Sequence, residues 1–282
     1  MINFVDVIKR YRENVVLNNI SLKFDENKIY CLLGRNGAGK TTLMKLIAGY
    51  INVTSGTIMV DGKKVSTMRM PDNVNLIENR GLQFNLSVEK LIKIAKELQD
   101  DFDSDFAFFM LEKFNLDKKK KYKQLSFGMQ TMLTTLLSLA SNSKVVLLDE
   151  PVLGFDAFMR DQFYELLKDS FEKHPRLIIV STHLVDEIAK SAEEVIILDS
   201  GEILLQATIN DIDEKAYSIM GATSEVKLAI RDLNVIGQKT IGGFTTVYIY
   251  DHRTNIPLNL TVQPVGLQEF FINIVGVNAY EN

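Results

Sequence analysis

Apolar and polar positions along the chain follow patterns that predict an α/β fold. Residues 2–8 and 15–24 alternate between apolar and polar side chains, which is typical of strands in an antiparallel sheet. Apolar runs at 29–33, 145–148 and 177–180 predict strands that are buried in a parallel sheet. Helical spacing of apolar residues recurs between these runs, so we expect strands and helices to alternate along the chain.

Shorter segments complete the predicted order of elements. Charged and polar residues cluster at 9–14 and at 25–28, which predicts a turn in each place. Ser87 is the predicted N-cap of one helix, because a serine side chain can accept a hydrogen bond from the first turn. The remaining predictions are strands at 57–60, 74–77, 195–198 and 202–205, the last two as a hairpin, and helices at 43–48, 87–98, 106–114, 130–140, 158–171 and 184–190.

The composition of the chain changes near Thr208, which predicts a boundary there. A chain of 282 residues fits one large domain or two smaller ones. We expect residues 1–208 to form the main domain and residues 209–282 to form a small α+β appendix. The elements predicted in the appendix are strands at 216–220, 245–250 and 258–262 and helices at 224–231 and 267–274.

Composition and charge narrow the class of protein. Hydrophobic residues make up 46% of the chain and charged residues 24%, which predicts a packed globular core. The net charge of −4 gives no argument for a nucleic-acid partner, and none is expected. The single cysteine, Cys31, excludes an internal disulfide and lies in an apolar run, which indicates core packing. Residues 118–121 are all lysine and are interpreted as a solvated loop, with contact to an acidic partner or lipid headgroups as the alternative.

Neither a leader peptide nor a membrane segment is predicted. The first residues lack the basic region and the apolar run of a signal peptide. No uninterrupted apolar run reaches the roughly 18 residues that are needed to span a bilayer. We therefore expect a soluble chain that reaches a membrane only through a partner.

A glycine-rich loop between a predicted strand and a predicted helix carries the first chemical signal. It reads GRNGAGKTT and matches G-x-x-x-x-G-K-[ST]. Glycines let backbone N–H groups surround a phosphate, and the following helix N-terminus adds a partial positive charge. Lys40 is expected to reach the β- and γ-phosphates of a nucleotide, and the Thr41 hydroxyl to bind Mg²⁺. The predicted nucleotide-binding residues are Gly34, Arg35, Asn36, Gly37, Ala38, Gly39, Lys40, Thr41 and Thr42.

Two acids and a histidine follow other predicted strands. Asp149 ends one apolar run and is expected to hold Mg²⁺, whereas the adjacent Glu150 is expected to orient or deprotonate a water molecule. His183 follows the strand at 177–180, and the carboxyl ends of parallel strands meet at one edge of a sheet. His183 is therefore expected near the phosphates, although a turn or core residue is the simpler interpretation of a lone histidine.

Together these motifs resemble the ATP-binding subunit of an ABC transporter over residues 2–205. The resemblance implies a P-loop NTPase with a mixed sheet, an antiparallel β subdomain and a helical subdomain at about 85–141. Tyr11, in isolation a surface residue of a turn, falls where the family stacks an aromatic ring on adenine. The matching segments are Gly34–Thr42 (Walker A), Leu125–Met129 (signature), Val145–Glu150 (Walker B), Gly154 and Asp156 (D-loop), with Glu150 as catalytic glutamate and His183 as switch histidine.

The signature departs from the family's usual pattern. It reads LSFGM rather than LSGGQ, so Phe127 and Met129 stand in place of a glycine and a glutamine. Ser126 and Gly128 remain, and these are the pair that the family brings to the γ-phosphate bound by the opposite subunit. The resemblance therefore assigns Ser126, Phe127, Gly128 and Met129 to the ATP of a second subunit.

The Q-loop position departs as well. The family's glutamine directly follows a short strand, and here Glu78 follows the strand at 74–77. We assign Glu78 to the Q-loop, where its carboxylate would approach Mg²⁺, with Gln83 as the alternative residue. Both departures resemble the bacterial exporter subgroup, which includes bacitracin, lantibiotic and toxic-peptide export ATPases and relatives from envelope-stress operons.

The resemblance implies an ATPase that powers export of peptides, antimicrobials or other amphipathic compounds. ATP and Mg²⁺ are the implied cofactors, and Lys40, Glu150 and His183 carry the implied catalytic roles. The implied partners are a second ATPase subunit, identical or different, and a separate transmembrane permease, contacted through residues 79–85, that holds the chain at the inner face of the cell membrane. A regulatory ATPase of a membrane sensor complex and a soluble ABC ATPase without a transport role stay open.

Overall fold

The computed structural model describes residues 1–78, 85–253 and 256–278. Residues 79–84, which include Gln83, lie outside the described part. Its strands are β1 (Ile2–Tyr11), β2 (Asn14–Phe24), β3 (Ile29–Leu33), β4 (Ser55–Val60), β5 (Lys63–Lys64), β6 (Val74–Ile77), β7 (Val145–Asp149), β8 (Leu177–Ser181), β9 (Glu194–Asp199), β10 (Glu202–Thr208), β11 (Ala216–Ala222), β12 (Val235–Ile241), β13 (Phe244–Tyr250) and β14 (Thr261–Pro264). Its α-helices are α1 (Lys40–Ile47), α2 (Val88–Leu98), α3 (Ser104–Lys113), α4 (Phe127–Ala140), α5 (Ala157–Lys173), α6 (Val185–Ile188), α7 (Ile209–Lys215), α8 (Thr223–Ala229) and α9 (Leu267–Asn278).

A six-stranded sheet lies at the centre of residues 1–208. Its strand order is β10–β9–β3–β8–β7–β6, and every pairing is parallel except that of β10 with β9. All residues of β3 and β8 are buried, because α1 covers one face of the sheet and α4 and α5 cover the other. Cys31 is buried in β3, where burial raises the pKa of its thiol. The predicted α/β class with a mixed sheet is confirmed.

A second sheet, antiparallel and ordered β2–β1–β4–β5, packs beside the first. Here one prediction is too broad: the turn expected at 9–14 is confined to Arg12 and Glu13, because β1 continues to Tyr11 and β2 begins at Asn14. Tyr11 and Asn14 pair across a hairpin in which Arg12 has a positive φ of 55°. The charged side chains at this end point to solvent, so they do not interrupt the backbone pairing that defines the strands.

The helices α2, α3 and α4 form the predicted helical region, with their apolar faces in one core. Ser87 caps α2 as predicted, by accepting a hydrogen bond from the Lys90 backbone N–H at 3.4 Å. The predicted start of α4 at residue 130 is wrong, since the helix begins at Phe127 with Ser126 as its N-cap. The signature residues therefore form the first turn of a helix rather than a loop before it.

The C-terminal residues form a third, antiparallel sheet ordered β12–β13–β11–β14, with α8 packed on one face and α9 on the other. Neither α7 nor β12 was predicted from the sequence. The strand predicted at 258–262 is also shifted, because Leu260 N–H bonds the Pro257 carbonyl in a turn and β14 follows it. The α+β character of this segment is nevertheless as predicted.

One face of the C-terminal sheet, the one that α9 covers, shares its core with the rest of the chain, whereas the face that α8 covers forms a separate apolar cluster. Phe270 of α9 and Ile236 of β12 belong to the same apolar cluster as Val185 and Ile188 of α6. The helix α9 thus packs directly on α6, which begins two residues after His183. Within the described residues, no helix combines the length and the apolar character that crossing a membrane requires.

Candidate active site

The glycine-rich loop joins β3 to α1 at the carboxyl edge of the central sheet. Gly39 has a φ of 110°, and a Cβ on it would lie 2.7 Å from Leu17 Cδ2, so this position favours glycine. Lys40 is the first residue of α1, and its Nζ donates to the carbonyl oxygens of Gly34 at 2.7 Å and Arg35 at 3.3 Å. Burial lowers the pKa of Lys40, although the carboxylates of nearby acids oppose this effect.

A cavity of about 460 Å³ opens above this loop. Its walls combine the loop, the start of α1 and the acids that follow β7. Backbone N–H groups at a helix N-terminus, a lysine and a hydroxyl are the groups that bind phosphate chains. The lining residues are Val16, Arg35, Asn36, Gly37, Ala38, Gly39, Lys40, Thr41, Thr42, Asp149, Glu150 and Leu153.

Asp149 lies between two hydroxyl groups at the end of β7. Its Oδ2 accepts a hydrogen bond from Thr41 Oγ1 at 2.6 Å, and its Oδ1 accepts a short one from Ser181 Oγ. A hydroxyl and a carboxylate oxygen are hard donors of the kind that Mg²⁺ prefers. No cluster of three or more His, Cys, Asp or Glu side chains that could hold a metal occurs within residues 1–78, 85–253 and 256–278. A cation here would therefore depend on oxygens of a nucleotide and water as well as on the protein.

Glu150 and His183 meet across the ends of β7 and β8. His183 Nδ1 lies 2.9 Å from Glu150 Oε2. The Glu150 side chain is partly exposed to solvent and the His183 side chain is largely exposed. Glu150 has an unusual positive φ of 51°, and its backbone N–H donates to the Ser181 carbonyl oxygen at 3.0 Å. The arrangement gives a carboxylate that can accept a proton from water, held by an imidazole that fixes its orientation.

Glu78 and Tyr11 lie outside the cavity lining, as do Gly34 and His183. Glu78 follows β6, and its Oε1 lies 2.7 Å from the Nζ of Lys45 on α1. Tyr11 ends β1 with a side chain that is about half exposed, and its ring centroid lies 4.7 Å from Lys9 Nζ. The structure thus places Glu78 at the same sheet edge as Asp149 and places Tyr11 on the neighbouring antiparallel sheet.

The predicted signature and D-loop residues lie together and do not line this cavity. Ser126 Oγ accepts a hydrogen bond from Met129 N–H at 3.3 Å. A Cβ on Gly128 would lie 2.5 Å from the Gly154 carbonyl oxygen, so the two segments touch backbone to backbone. Phe127 is half exposed and lies against the same glycine, and Asp156 caps α5 by accepting from Met159 N–H at 2.8 Å.

Comparison with known proteins decides the family. The family model described as ABC transporter matches residues 17–153. Over 208 residues the chain is 30% identical to the lantibiotic transport ATP-binding protein SrtF of Streptococcus pyogenes, a match that covers 73% of this chain and 90% of that protein. The chain belongs to the ABC transporter ATP-binding family. It is therefore an ATP-binding ATPase, and the resemblance described from its motifs is confirmed.

Two further similarities bear on the extent of the ABC ATPase. It is 29% identical over 287 residues to the ABC transporter ATP-binding protein YtrB of Bacillus subtilis, a match that covers 98% of each protein and so includes the C-terminal segment. It also shares its fold with the dimeric post-hydrolysis structure of the cassette MJ0796 bound to ADP and Pi. That likeness has a TM-score of 0.64 and 21% identity, over 74% of this chain and 99% of that one.

Three residues of the ABC ATPase site were not predicted from the sequence. Val16 and Leu153 line the cavity, and Ser181 holds the Asp149 carboxylate. Val16 and Leu153 are apolar and carry no motif of their own. Ser181 could have been found from its place, since it ends the strand that precedes His183 and a parallel neighbour sets it beside Asp149.

Proposed function

We propose that this ABC ATPase powers a membrane export transporter whose cargo is peptides, antimicrobials or other amphipathic compounds. The observation that carries the ATPase part of the proposal is a cavity lined by the glycine loop and by Asp149 and Glu150, while the signature residues lie elsewhere on the surface. The similarity to SrtF, which is named for lantibiotic transport, supports export and the class of cargo.

A second ATPase subunit, identical or different, completes the site. Ser126 is the N-cap of α4 and Gly128 lies in its first turn, and neither lines the cavity of their own chain. A helix N-terminus attracts phosphate, so this turn suits the γ-phosphate of an ATP held by the other subunit. In a head-to-tail dimer each ATP lies between the glycine loop of one chain and Ser126–Met129 of the other, with Gly154 and Asp156 at the same contact.

Within each chain the residues divide the work of hydrolysis. Lys40 and the loop N–H groups bind the phosphates, and Tyr11 stacks on the adenine ring. Glu150 accepts a proton from the attacking water, and His183 holds the Glu150 carboxylate in place and contacts the γ-phosphate. These groups neutralise charge that develops during phosphoryl transfer. They stabilise the transition state most when they are already oriented before the reaction begins.

Mg²⁺ fits the oxygen donors that the chain offers. Thr41 and Asp149 would hold it, with Glu78 as a further carboxylate at the same sheet edge. Proteins bind Mg²⁺ through one or two carboxylates and complete its shell with substrate phosphates and water. When bound, the ion neutralises phosphate charge; the chain's own contribution is to hold Thr41 and Asp149 side by side.

A separate transmembrane permease is the third component of the proposed transporter. The ABC ATPase would bind it at the inner face of the membrane, with the helical region at about 85–141 and residues 79–85 nearest to it. We further propose that residues 1–208 act as the nucleotide-binding unit and residues 209–282 as an accessory unit packed on α6.

Two substitutions test the proposed hydrolysis site in the purified chain. Glu150→Gln keeps the nucleotide contacts but removes the proton acceptor, so we expect ATP binding near that of the wild type and turnover reduced at least about 100-fold. Lys40→Ala removes the phosphate-binding cation, so we expect loss of tight ATP binding. The measurements are titration with a fluorescent ATP analogue and release of phosphate. Brisk hydrolysis by the Glu150→Gln protein would contradict the proposed role.

Export is tested in vesicles that contain the ABC ATPase and a candidate transmembrane permease with which it co-purifies. We expect ATP-dependent movement of an amphipathic peptide across the membrane, abolished by Glu150→Gln. If ATP is hydrolysed and no tested peptide moves, while a signalling partner changes its activity with ATP, the chain serves a sensor complex instead.

A further inference from the structure

The carboxylate of Asp149 accepts hydrogen bonds from Thr41 and from Ser181, and of these two residues only Thr41 has a role in the proposed function. Thr41 donates to Oδ2 at 2.6 Å. Ser181 donates to Oδ1 through a short hydrogen bond from its fully buried side chain. The contact arises from strand register, because Asp149 and Ser181 are direct partners at the ends of the parallel strands β7 and β8. A carboxylate bonded at both oxygens cannot rotate freely about its Cβ–Cγ bond.

Ser181 also fixes the backbone of the next residue. The Glu150 N–H donates to the Ser181 carbonyl oxygen at 3.0 Å and approaches its Oγ at 3.3 Å. Glu150 adopts a positive φ of 51°, which costs energy for a residue that is not glycine and persists only where the surroundings hold it. One serine thus contacts the carboxylate of Asp149 and the main chain of Glu150.

We propose that Ser181 is a positioning residue for ATP hydrolysis. Its hydroxyl directs Oδ1 of Asp149 away from the cavity and leaves Oδ2 beside Thr41, ready for a cation. Its carbonyl keeps Glu150 in the conformation that brings the side chain to His183. The inference rests on the proposed Mg²⁺-dependent hydrolysis, since it assigns Ser181 to the orientation of the residues that would hold the ion.

A purely structural role for Ser181 makes a different prediction. Loss of a buried hydroxyl would weaken folding and lower nucleotide affinity whether or not Mg²⁺ is present. Loss of a positioning hydrogen bond acts on the step that needs the ion. Residues that orient metal ligands change metal affinity or activity by about 10- to 100-fold when they are substituted.

The test compares Ser181→Ala with Ser181→Thr, which restores a hydroxyl and suits a strand. The matched control is Ser138→Ala, because Ser138 is equally buried in α4 and its hydroxyl has no hydrogen-bond partner among the described residues. Each full-length protein is titrated with a fluorescent ATP analogue in EDTA and over a range of Mg²⁺ concentrations. Thermal unfolding without nucleotide checks that each variant is folded.

We expect Ser181→Ala to raise the Mg²⁺ concentration for half-maximal ATP binding about tenfold and to reduce turnover at saturating ATP, with affinity in EDTA unchanged. Ser181→Thr should regain most of both, and Ser138→Ala should match the wild type. If the alanine variant does not unfold cooperatively, Ser181→Cys, which keeps the size of the side chain but is a weak donor, takes its place.

Two results would overturn the proposal. One is a Ser181→Ala protein with the Mg²⁺ dependence of the wild type, and the other is an equal loss of affinity with and without Mg²⁺. A wild-type protein that binds and hydrolyses ATP without regard to Mg²⁺ would instead contradict the proposed metal site, and the two failures are thus distinguishable.

Discussion

Three carboxylates meet at the carboxyl edge of the central sheet, and their contacts differ. Asp149 bonds two hydroxyl groups, Glu150 pairs with His183, and Glu78 pairs with Lys45. A carboxylate beside hydroxyls remains available as an oxygen ligand, whereas one bonded to an imidazole is held where it can accept a proton. Similar side chains at one edge are therefore suited to different tasks by their neighbours.

The pairing of Glu78 with Lys45 gives a residue-scale prediction. Lys45 lies in α1, the helix that begins with Lys40, so Glu78 ties the end of β6 to the helix that follows the glycine loop. We expect Glu78→Ala to lower ATP turnover about tenfold, because a group that orients the site is lost, and Gln83→Ala to leave turnover near normal. Steady-state kcat and KM values for both variants provide the measurement. The opposite ranking would move the Q-loop role to Gln83.

At the scale of elements, Asp103 links helix α3 of the helical region to helix α5. It caps α3 by accepting from Phe106 N–H at 2.9 Å, and its other oxygen lies 2.7 Å from Nζ of Lys173 at the end of α5. Burial would raise the pKa of Asp103, but the hydrogen bonds from Lys173 and Phe106 outweigh it and the pKa lies below its ordinary value of 3.8. The ionised form thus stabilises the contact between α3 and α5.

Substitution of Asp103 tests this contact. We expect Asp103→Ala to lower the free energy of unfolding by about 1–2 kcal/mol at pH 7, because a helix cap and an ion pair are lost together. Asp103→Asn should cost less, since asparagine also caps helices. Because the folded-state pKa is lowered, the contribution is complete above pH 3.8 and is lost as the pH falls through the folded-state value.

Urea unfolding of the wild type and both Asp103 variants at pH 7 and near pH 3 provides the measurement. The difference between wild type and Asp103→Ala should shrink at the lower pH. A difference that stays constant with pH would mean that the ionised carboxylate contributes nothing.

At the scale of the whole molecule, the core that α9 shares with the rest of the chain leads us to expect that the C-terminal segment belongs to the same folding unit. Phe270 of α9 is fully buried, with its ring centroid 5.0 Å from that of Tyr250, and belongs to the cluster that includes Ile188 of α6. Two segments with one continuous core are expected to unfold together.

Two substitutions in α9 test this continuity. Phe270→Ala leaves a cavity in the shared core, so we expect a loss of about 3–5 kcal/mol in the free energy of unfolding. The control is Ile272→Ala in the same helix, where an exposed side chain should change stability by less than about 0.5 kcal/mol. Denaturant unfolding should show one transition for each protein. Two separate transitions, only one of which shifts in Phe270→Ala, would indicate that the C-terminal segment folds independently.

The sequence alone predicted what is encoded within short segments. The glycine loop, the acids at 149 and 150 and the strands before them follow from local pattern, and the structure brings residues 35–42 and the two acids together around one cavity. Ser181 was missed because its role depends on the register between two strands far apart in the chain, which no local pattern records. β1 was predicted too short because backbone pairing, rather than alternation, defines its solvent-exposed end. Tertiary pairing overrides local preference in both cases.

The contact between Gly128 and Gly154 has a consequence for communication between the two ATP molecules of the proposed dimer. Where two backbones touch, few side-chain rotamers are left to absorb a displacement, so we expect a shift at the start of α4 to be passed to the segment before α5. The segment before α5 begins at Glu150, which serves the ATP of its own chain, whereas the start of α4 contacts the ATP of the other subunit. In the proposed dimer we therefore expect departure of the γ-phosphate from one nucleotide to affect the acid that serves the second, so that the two turnovers are coupled.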